Sequence, residues 1–313
     1  MNISTLRIAT RKSRLALWQA EFVKAQLERA NPGLTVEIVG MTTAGDRLLS
    51  APLSEIGGKG LFIKELETAI NDGRADVAVH SMKDVPAELP PGFALPVIGF
   101  RNEVRDVLVS ASASCVADLP AGARVGSSSL RRQAQLLARR PDLNVLPVRG
   151  NVNTRLDKLD AGQYDALLLA GTGLQRLGLG DRIREFLTLE DSLPAAGQGA
   201  LGVECLAGRA DVIALLASLN DPTVARCVNA ERAVSRSLGA DCSLPIAAYA
   251  HARGAGLHLA ALIADSMGTR VLRCAVTGDD PDALGAAAAA RLRELGADAI
   301  LQELHRDSRG ADR

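Results

Sequence analysis

One strand-to-helix junction occurs twice in this chain of 313 residues, and this repeat limits the folds available to it. The segment 7–10 (Arg-Ile-Ala-Thr) is predicted to be a strand that leads through hydroxyl side chains into an arginine-bearing helix. The segment 124–127 (Arg-Val-Gly-Ser) follows the same pattern. In a second pair of similar segments, 73–80 and 162–169, a glycine stands where a helix would end and a short apolar strand follows. The two pairs predict two lobes of similar α/β plan.

Two apolar segments are predicted to cross between these lobes. The first is 95–100, and the second is 193–200, which leads directly into the strand-like run Leu201–Cys205. Two crossings imply that the chain leaves the first lobe, builds the second and then returns. Such a plan creates a cleft between hinged lobes, where ligands usually bind.

The pattern changes after about residue 221. Asp221-Pro222 is typical of a helix start, and this helix is predicted to run to about Leu238. Strand-like runs follow near 246–251, 257–264 and 270–277, and an alanine-rich helix ends near Gly296. We therefore predict an α/β fold with two similar lobes of doubly wound mixed sheets, like the type II periplasmic binding proteins, plus a small α+β C-terminal domain. The expected boundaries are 1–99 with 200–220 for lobe 1, 100–199 for lobe 2 and 221–313 for the C-terminal domain.

Charge and cysteine usage exclude several classes of function. The formal net charge is zero, which gives no bulk attraction to nucleic acid or to an anionic membrane. The five cysteines are odd in number, widely spaced and lack a Cys-x-x-Cys pair, and the four histidines do not cluster. This usage indicates a reducing compartment without a disulfide framework or a metal site. No apolar run is long enough to span a bilayer, so we expect a cytoplasmic protein.

The second junction has the chemistry of an anion site. Three serines, 127–129, precede a helix that begins with Arg131 and Arg132 close to its N-terminus. Helix N-termini present unpaired N–H groups, and guanidinium groups bind carboxylates through two parallel hydrogen bonds. Six arginines lie near predicted strand ends, which is more than a phosphate needs and favours a ligand with several carboxylates: Arg11, Arg131, Arg132, Arg149, Arg155 and Arg176.

An acid and a base stand side by side after another predicted strand. The run 76–80 leads into Lys83 and Asp84. Open α/β sheets keep their functional groups at the carboxyl ends of their strands, where a carboxylate can move a proton or stabilise a nearby cation.

Four motifs together resemble the porphobilinogen deaminase (hydroxymethylbilane synthase) family: 80–86 (HSMKDVP), 126–132 (GSSSLRR), 149–151 (RGN) and 193–199 (LPAAGQG). Cys242, after a helix ending near Leu238, fits the same family. The resemblance covers essentially the whole chain. It implies a transferase of tetrapyrrole (haem) biosynthesis that joins four porphobilinogen units head to tail, releasing ammonia each time, to give the linear tetrapyrrole hydroxymethylbilane. Each unit carries an acetate and a propionate, which accounts for the arginines.

The resemblance also implies roles for individual residues. Cys242 would hold a dipyrromethane cofactor, a primer of two substrate units, through a thioether, and Asp84 would be the catalytic residue beside it. The cofactor carboxylates would be bound by Lys83, Ser129, Arg131 and Arg132. Substrate or the growing chain would be bound by Arg11, Ser13, Gln19, Phe62, Arg149, Arg155, Arg176 and Gln198.

One departure and two alternatives stay open at this stage. Asp241 stands beside the cofactor cysteine, where the family often has glycine, so the geometry of that loop is in question. A non-enzymatic two-lobe receptor for a polycarboxylate would explain the lobes and the arginines, but it gives Cys242 and the third domain no role. An enzyme that binds a phosphate ligand is the second alternative, but this sequence lacks the Gly-x-x-x-x-Gly-Lys loop typical of such enzymes. The glycine-bearing loop 41–60 suits either a lid or a disordered surface loop, and we expect a monomer that binds neither nucleic acid nor membrane.

Overall fold

The computed structural model describes residues 3–47, 63–239 and 244–310 of the chain. Within these ranges the chain forms two compact units. The first comprises the described residues of 1–49, 59–102 and 197–226, and the second comprises 103–196 and the described residues from 227 onward.

The first unit is built on a five-stranded sheet in the order β2-β1-β3-β10-β4. Its strands are β1 (Thr5–Arg11), β2 (Thr35–Met41), β3 (Val77–Ser81), β4 (Phe93–Gly99) and β10 (Leu201–Leu206). Strands β1, β2 and β3 run parallel, whereas β10 is antiparallel to both β3 and β4. Its helices are α1 (Arg14–Ala30), α2 (Ala44–Arg47), α3 (Lys64–Asn71) and α7 (Ala210–Leu216).

The second unit contains a sheet of the same plan, in the order β7-β6-β8-β5-β9. Its strands are β5 (Asp106–Ser110), β6 (Arg124–Gly126), β7 (Asn144–Leu146), β8 (Ala166–Ala170) and β9 (Glu185–Phe186). Strands β6, β7 and β8 are parallel, and β5 is antiparallel to β8 and β9. The helices here are α4 (Leu130–Arg139), α5 (Val152–Asp160) and α6 (Gly171–Arg176).

The two sheets share a specific ion-pair arrangement as well as a strand order. At the start of β1, the backbone N–H and Nε of Arg7 donate to Oδ2 of Asp76 at 2.9 and 3.1 Å, and Nη1 donates to the carbonyl of Gly73 at 2.6 Å. At the start of β6, Arg124 makes the matching bonds to Asp165, at 2.7 and 3.2 Å, and to Gly162 through Nη2 at 3.0 Å. The repeat seen in the sequence is therefore a repeat of structure.

The second unit also carries a three-stranded antiparallel sheet, β11 (Ile246–Arg253), β12 (Gly256–Ala264) and β13 (Val271–Gly278). A separate hydrophobic core joins this sheet to three helices, α8 (Pro222–Leu238), α9 (Pro281–Glu294) and α10 (Ala297–Gly310). Alternate β12 residues, such as Leu257, Leu259 and Ala261, point into this core because side chains alternate between the faces of a strand.

The predicted fold class is confirmed, including the doubly wound mixed sheets and the small C-terminal sheet. Each predicted C-terminal strand lies within two residues of β11, β12 or β13, and the helix predicted from Pro222 is α8. The return of the chain is confirmed by β10, which re-enters the first sheet after the second has been built. Most of the loop 41–60, from residue 48 onward, lies outside the described residues. Within the described ranges, no helix combines the length and apolarity needed to cross a bilayer.

Candidate active site

The predicted acid of the first unit lies on a turn that directly continues strand β3. A 3₁₀ turn, Met82–Asp84, follows β3, and the Asp84 side chain is exposed at its end. The turn is anchored to the protein core through Met82. This side chain is only 1% exposed, and the N–H of Met82 donates to the carbonyl of Ala200 at 3.0 Å. The Asp84 carboxylate is thus presented to solvent by a backbone that is fixed in the core.

Two glycines make room for this anchor. A Cβ atom added at Gly197 would lie 2.7 Å from Cβ of Met82, and one added at Gly202 would lie 2.3 Å from its Sδ. Gly197 also has a φ of +73°, a conformation that favours glycine. Gly197 of the 193–199 motif and Gly202 of β10 therefore act through packing against the Asp84 turn.

Four predicted site residues of the first unit line one cavity: Arg11, Ser13, Gln19 and Asp84. Nε2 of Gln19 donates to the hydroxyl of Ser81 at 2.8 Å, which ties helix α1 to the end of β3. Ser13 is the N-cap of α1, and its hydroxyl accepts from the N–H of Ala16. These contacts bring the start of α1 and the Asp84 turn together.

The remaining predictions in the first unit fall differently. Lys83 is half-buried beside Asp84. Gln198 is fully buried, and its carbonyl accepts from Nε of Arg101 at 3.2 Å. Phe62 lies outside the described residues, as do Cys242 and Asp241.

Both adjacent arginines of the second unit bind the same buried carboxylate. Nη1 and Nη2 of Arg131 donate to Asp106 at 2.7 and 3.2 Å, and Nε of Arg132 donates to it at 2.9 Å. The hydroxyl of Ser192 donates to the same carboxylate at 2.7 Å. Ser129 is the N-cap of α4, and its hydroxyl accepts from the N–H of Arg132. The predicted cofactor residues of this unit thus form a single cluster.

The other predicted arginines follow β7 and β8, the two strands that flank β6 in the same sheet. Burial lowers the pKa of Arg149, which follows β7, and lowers the pKa of Arg176 in α6 to about 10. Nε of Arg155 donates to the carbonyl of Gly150 at 2.9 Å, which holds this side chain against the start of α5. Cations that have lost part of their hydration favour an anionic ligand, since a carboxylate replaces the lost solvation.

Four buried polar residues escaped the sequence analysis as site components. Asp106 and Ser192 hold the arginine pair. His80 of β3, the strand that leads into the Asp84 turn, pairs with Glu204 of β10, with His80 Nε2 2.8 Å from Glu204 Oε2. Two of them could have been found from the sequence, because a charged residue stands in an otherwise apolar strand. Asp106 begins the strand that continues with Val-Leu-Val, and Glu204 lies within β10.

Comparisons with known proteins assign a family to this arrangement. Residues 6–214 match the family model described as porphobilinogen deaminase, dipyromethane cofactor binding domain, and residues 225–294 match the porphobilinogen deaminase C-terminal domain. The chain is 55% identical to a porphobilinogen deaminase of Thiobacillus denitrificans over 96% of this chain and 99% of the relative. It is 56% identical to one of Burkholderia thailandensis, over 96% and 93%.

Solved structures of other families are much more distant. The aliphatic sulphonate binding protein SsuA of Escherichia coli is 16% identical with a TM-score of 0.41, over 75% of this chain and 71% of that one. The two family models together span nearly all of the sequence, and the relatives match it almost end to end. The chain belongs to the porphobilinogen deaminase family.

Proposed function

We propose that this chain is a hydroxymethylbilane synthase, a transferase that polymerises four porphobilinogen units head to tail with loss of ammonia. One observation carries the proposal, namely that relatives named porphobilinogen deaminase match 96% of the chain at about 55% identity. The binding-protein alternative is not favoured, because the match extends through the C-terminal domain, residues 225–294.

The residues of the second unit suit a primer that carries several carboxylates. Residues 6–214 belong to the dipyrromethane cofactor binding domain of the family. Arg131 and Arg132 form a buried cationic cluster, and with Ser129 they would bind the acidic side chains of this cofactor. The same role is proposed for Lys83 of the first unit. The bound primer supplies the pyrrole terminus to which new units are joined. We propose Cys242 as its point of attachment, because a thiol forms a stable thioether with an electrophilic carbon.

We assign the proton transfers to Asp84. Its exposed carboxylate is carried by a turn that is anchored in the core through Met82, so the backbone position of this group stays fixed while the product grows. Asp84 would give a proton to the departing amine, face the cationic pyrrole nitrogens and later accept the proton lost at the α-carbon. One carboxylate serves all of these steps, since each cycle repeats the same reaction at the same place.

We assign substrate binding to the remaining predicted residues. Arg149 and Arg176 are the strongest of these, because burial lowers the pKa of both and a bound acetate or propionate would compensate for it. The same role is proposed for Arg11, Ser13, Gln19, Phe62, Arg155 and Gln198.

We also propose three domains with the boundaries given above, and a cytoplasmic monomer. The three sheets, with hydrophobic cores of their own, support the domain division. Among the described residues no two cysteines form a disulfide, which suits a reducing compartment. Met267 and Leu295 are the large exposed hydrophobic residues of the described ranges, which leaves little apolar surface for a partner. Size-exclusion chromatography with light scattering tests the monomer.

Intact mass spectrometry tests the proposed function. Protein purified under native conditions is expected to carry the added mass of two linked pyrrole units, and a Cys242→Ala variant is expected to lack it. A Cys205→Ala variant is the control for loss of a thiol and keeps the added mass. An unmodified mass that does not change on incubation with porphobilinogen contradicts the proposal.

A further inference from the structure

The side chains of two consecutive helical residues converge on one point in the second unit. Consecutive residues of an α-helix project about 100° apart around its axis. Arg131 and Arg132 nevertheless both reach the carboxylate of Asp106, with donor–acceptor distances of 2.7–3.2 Å. Asp106 is 0% exposed, and the arginines are 3% and 7% exposed. A single carboxylate therefore sets the direction of both guanidinium groups.

The Asp106 carboxylate is fully engaged by these contacts. Oδ1 accepts from Arg131 and Arg132, and Oδ2 accepts from Arg131 and from the hydroxyl of Ser192. These donors saturate the lone pairs of the carboxylate, so its orientation is fixed. Strand β5 begins at Asp106 and pairs in register with β8, Asp106 opposite Ala170, so the backbone that carries the carboxylate is fixed too.

A second layer holds the helix that carries the arginines. Nη1 of Arg131 also donates to the carbonyl of Leu193 at 2.6 Å. The amide of Gln135, one helical turn later, donates to the same carbonyl at 3.1 Å and accepts from the N–H of Leu193 at 2.7 Å. Segment 192–193 therefore supports both Asp106, through Ser192, and helix α4.

We propose that Asp106, supported by Ser192, is a positioning residue that aims Arg131 and Arg132 at the cofactor carboxylates. Asp106 does not touch the ligand in this proposal. It places the two guanidinium groups before the ligand arrives, so that binding does not have to order two long side chains. The inference rests on the proposed cofactor role of the arginines.

The test uses cofactor-free protein and measures primer loading by intact mass as a function of porphobilinogen concentration. Asp106→Asn places amide hydrogens where the arginines donate, so the half-saturating concentration is expected to rise about tenfold or more. Ser192→Ala is expected to raise it less, because the bonds from both arginines to Asp106 remain. The matched control is Asp76→Asn in the first unit. Asp76 is also buried, at 9% exposed, and also binds two arginines, Arg7 and Arg209, but neither is assigned to the cofactor. Loading is compared per folded molecule, with the folded fraction measured by near-UV circular dichroism.

A double-mutant cycle separates positioning from a structural role. If Asp106 acts through the arginines, then adding Asp106→Asn to an Arg131→Ala/Arg132→Ala variant leaves loading at the level of that variant. A further loss of loading in the triple variant overturns the inference, and so does an Asp106→Asn variant that loads like Asp76→Asn. Normal loading by Arg131→Ala/Arg132→Ala contradicts the proposed cofactor role of the arginines themselves.

Discussion

Nε2 of His80 lies 2.8 Å from Oε2 of Glu204, and this contact joins β10 to β3, the strand that leads into the Asp84 turn. The side chains are 4% and 0% exposed. A third ionisable group, Glu67, interacts with both of them. Its pKa is raised, mainly by burial and further by the Glu204 carboxylate, and the opposing effect of His80 is smaller. The strand that presents the predicted catalytic residue thus rests on a buried polar cluster.

Removing either member of this pair is expected to destabilise the protein. His80→Ala and Glu204→Ala each leave a buried polar group without its partner, which costs about 1–3 kcal/mol of the free energy of unfolding. Urea denaturation measures these losses. The double variant is expected to lose less than the sum of the two. Strict additivity would show that the two side chains do not interact.

Gly197→Ala is expected to lower turnover by about tenfold or more by shifting the Asp84 turn. The new Cβ would lie 2.7 Å from Cβ of Met82, on a backbone whose φ of +73° disfavours alanine. Gly208→Ala is the control, because a Cβ added there meets nothing within 4 Å. Steady-state assays of porphobilinogen consumption compare the two. Equal rates would mean that the turn tolerates the displacement of Met82.

Asp84→Asn is expected to leave folding and cofactor attachment largely intact while nearly abolishing turnover. The side chain is exposed, so its replacement opens no cavity, but the amide cannot accept or return a proton. Thermal unfolding, intact mass and turnover are measured on the same preparation. Near-normal rates would remove Asp84 from the mechanism.

Arg149→Ala and Arg155→Ala are expected to stall elongation, because each removes a cation proposed to bind the growing chain. Intact mass after brief incubation with porphobilinogen should show enzyme-bound intermediates accumulating. Arg182→Ala is the control in the same unit, since Arg182 pairs with Asp160 on the surface. Normal elongation by the first two variants would contradict their role.

Acid is expected to weaken the first unit through Asp76. Burial by itself would raise the pKa of Asp76, but the hydrogen bonds and charges of Arg7 and Arg209 outweigh it and hold the pKa below its usual value. The stabilisation from a depressed carboxyl pKa is complete above about pH 4, the pKa in the unfolded chain, and is lost as the pH falls towards the folded-state pKa.

Asp76→Asn tests this dependence. At pH 7 the variant is expected to be about 1–3 kcal/mol less stable than the parent chain. The difference should shrink steadily below pH 4, as the parent carboxyl group also becomes neutral. A difference that stays constant from pH 7 to pH 2.5 would show that the charge of Asp76 does not contribute.

The sequence predicts the repeated architecture because that information is local. The segments 7–10 and 124–127 are each predicted to be a strand that leads into an arginine-bearing helix, and the structure has β1 (Thr5–Arg11) before α1 and β6 (Arg124–Gly126) before α4. Helix α8 was found from Asp221-Pro222, whose carboxylate caps the helix by accepting from the N–H of Thr223 at 2.9 Å. Strand periodicity and helix caps act within a few residues, and so they can be read without a structure.

The polar layer behind the site was not predictable in this way. Asp106 meets Arg131 only because β5 lies antiparallel beside β8, and His80 meets Glu204 across 124 residues because β10 returns to the first sheet. Each pairing depends on strand order, which a single sequence does not display. The roles of Cys242 and Phe62 stay predictions, since both lie outside the described residues.

The return of β10 to the first sheet also determines when that sheet can be completed during synthesis. Strands β3 and β4 both pair with β10, and neither can do so until residues 201–206 have left the ribosome. By then, all five strands of the sheet built from β5 to β9 have already emerged. We therefore expect the later half of the sequence repeat to fold first, while β3 and β4 keep open edges until β10 emerges.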